Sequence, residues 1–85
     1  MGDIDKKIIR LVARRQQLAA KVARFKHQEG IPVHDEAQAQ EVLNRAYNFA
    51  AEQKIDPVAV REIFAILVTM SEERQRECLG EGNLP

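Results

Sequence analysis

The chain has 85 residues, with thirteen basic and thirteen acidic side chains, a hydrophobic fraction of 45% and an aromatic fraction of 5%. A chain of this length forms one small domain and is too short for a two-domain enzyme. The formal net charge of zero argues against a protein whose main task is to grip a nucleic-acid backbone, since that task usually makes a domain basic.

The charges are unevenly distributed along the chain. Residues 1–28 carry eight basic and two acidic side chains, whereas residues 29–85 carry five basic and eleven acidic ones. Such an asymmetry between a basic first third and an acidic remainder indicates a binding site or an interface.

The single cysteine, Cys78, excludes an intramolecular disulfide and favours a reducing compartment. We expect its side chain to pack in the interior. Asp3 and Asp5 interrupt the N-terminal stretch, so we expect no signal peptide, and the longest apolar run, residues 63–68, is too short to span a bilayer. The sequence therefore predicts a cytoplasmic protein that does not enter a membrane.

The spacing of apolar residues predicts a first helix over about residues 4–28. Large apolar side chains recur there at steps of three and four, with no internal glycine or proline. Gly30 suits a helix C-terminal cap, and Pro32 prevents the helix from continuing.

Two further helices follow, and no segment alternates with the period of a strand. Asp35 is the expected N-cap of a helix over about 36–54, and Pro57 suits the first turn of a helix over about 57–79. We expect residues 80–85 to form a frayed tail.

The first predicted helix is too long for the rest of the chain to cover. It measures about 37 Å at 1.5 Å per residue, whereas a compact globule of this size is about 30 Å across. An exposed apolar stripe on such a helix needs a partner. We therefore predict an all-α fold in which residues 1–85 form a single helical domain and two copies form an intertwined homodimer.

Four polar residues occupy positions where apolar ones are expected. Arg15 and Lys26 lie within the apolar stripe of the first helix, and Ser71 and Gln75 lie on the apolar face of the third. Buried cations need buried acids or an anionic ligand, so the four residues indicate a pocket for a small molecule that carries carboxylates. The alternatives are that the cations reach solvent from the stripe edge, that Ser71 caps a new helix, and that Gln75 lies at a fraying end.

Other kinds of site have little support. His27 and His34 do not match a metal-ligand spacing, and we expect both at the surface with no metal bound. Glycine-rich phosphate motifs are missing from the sequence. Aromatic side chains are too few for base stacking, so we expect no nucleic-acid partner.

Several short strings follow one another along the chain: Asp5-Lys6-Lys7-Ile8-Ile9, Ala13-Arg14-Arg15-Gln16-Gln17-Leu18-Ala19, Val22 through Phe25-Lys26, Ile31-Pro32-Val33-His34-Asp35, and Ile63-Phe64 through Ser71 to Gln75. In their order and intervals, the chain from Ile4 to about Leu79 resembles the all-α, AroQ-class chorismate mutases.

The resemblance implies the pericyclic rearrangement of chorismate to prephenate, with no covalent intermediate and no cofactor. It implies that Arg15 holds a substrate carboxylate and that Lys26 and Gln75 donate to the ether oxygen. Ser71 would help to hold the substrate, and Asp35 would lie near the ring hydroxyl. The implied residues are Arg15, Lys26 and Gln75 for catalysis, and Arg15, Lys26, Asp35, Gln38, Ser71 and Gln75 for substrate binding.

Two features depart from the family pattern. Where the family usually carries an arginine followed by a glutamate, this chain has Gln38 and Ala39. A further family arginine, from the first helix of the partner, falls upstream of residue 1. The departures predict a weakened activity, unless an upstream stretch or the cations Lys7 and Arg10 supply the missing charge.

Two alternative functions remain at this point. Isochorismate-pyruvate lyases share the scaffold, resemble the chain around residues 23–26, and often lack the glutamate at the position of Ala39. The other alternative is a non-catalytic helical module for dimerisation or regulation.

Overall fold

The computed structural model describes residues 1–79, and the predicted frayed tail, residues 80–85, lies outside them. The described part contains helices α1 (Gly2–Gln28), α2 (Glu36–Glu52) and α3 (Pro57–Cys78), and no strand. The all-α prediction is confirmed, and every predicted helix boundary lies within two residues of the observed one.

Helix α1 ends at a glycine in the left-handed conformation. Gly30 has a φ of 68°, and its N–H donates to the carbonyl of His27 at 3.3 Å, while the N–H of Ile31 donates to the carbonyl of Lys26 at 2.8 Å. These two bonds satisfy carbonyls that the last helical turn would otherwise leave unpaired. The predicted stop at Gly30 is confirmed.

Helix α2 begins after its predicted cap, Asp35, but ends at Glu52 rather than at residue 54. Lys54 has a φ of 61°, and the N–H of Ile55 donates to the carbonyl of Ala50 at 3.2 Å. The end of α2 therefore resembles the end of α1, although a lysine takes the place of the usual left-handed glycine. Because left-handed lysines are uncommon, the sequence does not signal this end.

Helix α3 begins at a capped turn and runs without interruption. The Asp56 carboxylate accepts hydrogen bonds from the N–H groups of Val58 at 3.0 Å and Ala59 at 3.3 Å. Ser71 lies in the middle of the helix. The alternative that Ser71 caps a new helix is therefore wrong.

The chain divides into two compact units, and α3 contributes to both. Among the described residues, the α1 unit contains 1–33 and 70–79, and the α2 unit contains His34–Thr69. In the α1 unit the buried residues are Ala19, Ala23 and Gln75, and in the α2 unit they are Ala46 and Ala50. The prediction of a single domain over residues 1–85 stays a prediction.

The α2 unit also contains an aromatic contact. The Arg61 guanidinium lies over the ring of Tyr47, 5.3 Å from its centroid. A cation at this distance is attracted by the electron-rich ring face, so the contact links the first part of α3 to α2.

The apolar stripe of α1 is largely exposed. Within residues 1–79 every buried hydrophobic residue is an alanine, and no large side chain is fully buried. Between 41% and 66% of the surface of each stripe residue is accessible, and these residues are Ile4, Ile8, Leu11, Leu18, Val22 and Phe25. Helix α1 thus buries small residues and leaves the large apolar residues of its stripe exposed.

Two observations concern the compartment predictions. Cys78 is exposed, so the prediction that it packs in the interior is wrong; it is the last residue of α3 and lies at the surface. None of the three described helices combines the length and the apolar character that crossing a bilayer requires.

We predict that replacing Gly30 by alanine lowers the free energy of unfolding by about 1–2 kcal/mol, because a residue with a Cβ is strained at positive φ. No atom lies within 4 Å of a Cβ built at Gly30, so the cost comes from backbone strain and not from a clash. Urea denaturation at fixed protein concentration measures it. Gly2→Ala is the control, since Gly2 starts α1 and has equally open surroundings; an equal loss in both variants would contradict the prediction.

Candidate functional site

An open depression of about 260 Å³ lies on one face of α1. Arg15, Leu18, Ala19 and Val22 line it from α1, and Ser71 lines it from α3. Leu18, Ala19 and Val22 follow Arg15 by three, four and seven residues, which places all four on one side of the helix. All five belong to the α1 unit.

The depression combines one cation with apolar walls. Arg15 is half-buried, and a guanidinium presents a planar fork of donors that matches a carboxylate. Leu18 and Val22 keep 42% and 41% of their surface accessible, so they offer apolar contact to a bound molecule. Such a site suits a small organic acid.

Beside the depression lies a hydrogen-bonded pair on α3. Gln75 is only 4% exposed, and its Nε2 donates to the Oγ of Ser71 at 3.2 Å. Its Oε1 is also buried and accepts no hydrogen bond from any residue within 1–79. The alternative that Gln75 lies at a fraying helix end is therefore wrong.

Lys26 lies on the same face of α1 as Arg15 but does not line the depression. The two residues are separated by about 16 Å along the helix axis, three turns at 1.5 Å per residue. Lys26 is half-buried, and its Nζ donates to the backbone carbonyl of Val33 at 2.9 Å. The ammonium thus bonds to the turn that follows α1.

The two remaining candidates lie at the start of α2, within the α2 unit. The exposed Asp35 carboxylate accepts the backbone N–H of Gln38 at 3.2 Å. The neighbouring Glu36 is hydrogen-bonded to Gln40 and to His34, each at 3.0 Å. These two bonds, of which that to Gln40 acts most, lower the pKa of Glu36 below its usual value, because they favour the charged carboxylate.

The structure thus brings Arg15, Ser71 and Gln75 together. The sequence placed Arg15 within the apolar stripe of α1, and the structure adds that Leu18 and Val22 of that stripe line the depression with it. Sequence reasoning missed the Val33 carbonyl. The sequence carries no signal for it, because every residue has the same backbone acceptor whatever its side chain.

Metal ligands are not grouped in the described chain. Among residues 1–79, no three histidine, cysteine, aspartate or glutamate side chains lie close enough to hold an ion. His27 and His34 are both exposed, as the sequence predicts.

Comparison with known proteins gave two matches. The family described as chorismate mutase type II matches residues 1–76. A protein of Methanocaldococcus jannaschii named chorismate mutase is 34% identical over 81 residues, which cover 95% of this chain and 82% of that protein. No solved structure matches the chain significantly.

Proposed function

Since this chain belongs to the chorismate mutase type II family, we propose that it rearranges chorismate to prephenate at the depression beside Arg15. One observation supports this location most directly: a half-buried guanidinium and the Ser71 hydroxyl line the same depression, and the buried amide of Gln75 is bonded to that hydroxyl.

The reaction itself asks little covalent chemistry of a protein. In chorismate one ether C–O bond breaks while a C–C bond forms within the same molecule, so no group leaves and no redox step occurs. The protein accelerates it by holding the reactive conformer and by stabilising the charge that grows on the ether oxygen. Donor side chains in fixed positions are sufficient for both tasks.

Each candidate site residue of the α1 unit has a role in the proposal. Arg15 binds a substrate carboxylate, for which its donor fork is suited. Lys26 and Gln75 donate to the ether oxygen, and Ser71 helps to hold the substrate. The interval of about 16 Å between Arg15 and Lys26 along α1 is one that two long side chains and a substrate between them can span.

The roles of Asp35 and Gln38 depend on the family resemblance alone. The proposal gives Asp35 the ring hydroxyl, because a carboxylate is an acceptor for an O–H donor. Gln38 occupies the position of a family arginine, and an amide there offers a hydrogen bond without a charge. Since a charged contact contributes about 1.5–3 kcal/mol and a neutral one about 1 kcal/mol, we expect weaker substrate binding than an arginine would give.

The exposed stripe of α1 supports a homodimer as part of the proposal. The buried hydrophobic residues of the described chain are four alanines, and its large apolar side chains are at most half-buried, so the single chain removes little apolar surface from water to offset the entropy of ordering it. Each large apolar side chain that a partner covers contributes about 1.5–3 kcal/mol. A second copy that packs α1 against α1 would cover the four stripe residues that do not line the depression, Ile4, Ile8, Leu11 and Phe25, in each protomer.

The proposed compartment is the cytoplasm. Cys78 is a free thiol exposed to solvent, and reducing compartments preserve such thiols. Fractionation of the source cells tests this assignment.

Incubation with chorismate tests the activity. We predict that the ultraviolet absorbance of chorismate is lost and that prephenate is the product, with no added metal or cofactor. Pyruvate release from isochorismate, without conversion of chorismate, would instead select the lyase. No conversion of either compound at high protein concentration would leave the non-catalytic module.

Replacing Lys26 by alanine should reduce turnover by about 10- to 150-fold, which corresponds to the loss of one charged hydrogen bond in the transition state. The free energy of unfolding should fall by no more than about 1.5–3 kcal/mol, the contribution of the charged bond to the Val33 carbonyl. Lys21→Ala is the matched control, because Lys21 is an exposed lysine of the same helix. Unchanged turnover in Lys26→Ala would remove Lys26 from the site.

Replacing Leu11 by glutamate should break the dimer, because the new charge falls within the stripe that the second copy covers. Leu11 is 66% exposed in the single chain, so a monomer would tolerate the change within about 0.5 kcal/mol. Sedimentation at micromolar concentration distinguishes these outcomes. Gln17→Glu adds the same charge at an exposed polar position of α1 and should leave the dimer intact; a monomeric wild-type protein would contradict the proposal.

A further inference from the structure

Gln75 is the polar residue that the described chain buries most completely, with 4% of its surface exposed. One end of its amide is paired, since Nε2 donates to the Ser71 Oγ at 3.2 Å. The other end, Oε1, is shielded from solvent and has no hydrogen-bond partner within residues 1–79. Burying an unpaired amide oxygen is unfavourable because its lost hydrogen bond to water is not replaced, so the arrangement calls for an explanation.

The single bond to Ser71 is compatible with two orientations of the amide. A serine hydroxyl both donates and accepts. When it accepts, Nε2 faces Ser71 and the oxygen is left unpaired; when it donates, Oε1 faces Ser71 and both N–H groups of the amide point to the place that the oxygen occupied. The two orientations differ by a half-turn of the terminal amide, for which the heavy-atom positions are nearly the same.

The two orientations differ in what they offer to a substrate. An ether oxygen that gains negative charge is stabilised by an N–H donor and repelled by a carbonyl oxygen. The amide therefore assists the proposed reaction in only one orientation, the one in which Ser71 donates to Oε1. In that orientation the buried oxygen also gains its missing partner.

We propose that Ser71 is a positioning residue for Gln75, whose hydroxyl donates to Oε1 and so directs Nε2 at the ether oxygen. This inference rests on the function proposed above. It gives Ser71 a second role, the orientation of the Gln75 amide, beside its contact with the substrate. Ser71 is suited to it because it lies on the same helix one turn before Gln75 and lines the depression that holds Arg15. The Ser71 hydroxyl reaches the Gln75 amide directly, so no third residue is needed between them.

Kinetics of two Ser71 variants test the role. Ser71→Ala should lower kcat by about 10- to 100-fold, a larger factor than the rise in KM that the loss of its own contact with the substrate causes, since the amide is no longer oriented. Ser71→Thr keeps the hydroxyl and should recover most of kcat. A rise in KM at constant kcat in Ser71→Ala would overturn the proposal, because it would mean that Ser71 only binds the substrate.

A double-mutant cycle with Gln75→Leu separates the indirect role from a direct one. If Ser71 acts through Gln75, then Ser71→Ala should cause no further loss of kcat in the Gln75→Leu protein. Losses that multiply would overturn the proposal. Circular dichroism and sedimentation of each variant establish that folded protein of unchanged assembly is being compared.

A third readout does not depend on activity. In nitrogen-15-labelled protein without ligand, the two side-chain N–H resonances of Gln75 report how the amide is held. Ser71→Ala should move them and speed their exchange with solvent, and Ser71→Thr should not. Unmoved resonances in Ser71→Ala would overturn the inference even if the protein is an active mutase, whereas an inactive wild-type protein with the expected shifts would count against the proposed function and leave the pairing intact.

Discussion

An unbroken α1 is the constraint on which the candidate site depends. The helix runs from Gly2 to Gln28 without a glycine or proline in its interior, so its period of 3.6 residues is kept over seven turns. Because of that period, Arg15 and Lys26 face the same way although eleven residues separate them. A kink between them would rotate one cation away from the other.

The helix boundaries show how far local chemistry carries sequence reasoning. Asp35 and Gly30 each have a property that a helix end requires, a carboxylate acceptor or tolerance of positive φ, and each acts at the position that the sequence indicates. Lys54 fills a glycine's position without a glycine's freedom, so no rule based on residue type finds it. Helix α2 ends where backbone hydrogen bonds close its last turn, and residue type does not reveal those bonds.

The candidate site divides in the same way. Helical periodicity was sufficient to direct Arg15, Ser71 and Gln75 away from solvent, because it depends only on which residues share a face, and all three are buried or half-buried. Periodicity does not report rotamers or backbone acceptors. The bond between Gln75 and Ser71, the unpaired amide oxygen and the carbonyl that holds Lys26 therefore required coordinates. The family match supports the activity, and it leaves the role of each side chain to experiment.

The bond between Lys26 and the Val33 carbonyl illustrates how a cation can be held in place before an anion binds to it. The acceptor is a neutral dipole at 2.9 Å, so the ammonium is held in place while its charge is not cancelled. A carboxylate in the same position would have to be separated from the lysine before a substrate oxygen could use it, and that separation costs most in a partly dehydrated site. A carbonyl gives up the ammonium more readily as charge accumulates elsewhere, and interactions that strengthen only as the reaction proceeds are those that increase its rate. In the proposed reaction the turn after α1 would serve as a resting acceptor, strong enough to order a flexible lysine and weak enough to lose it to a developing negative charge.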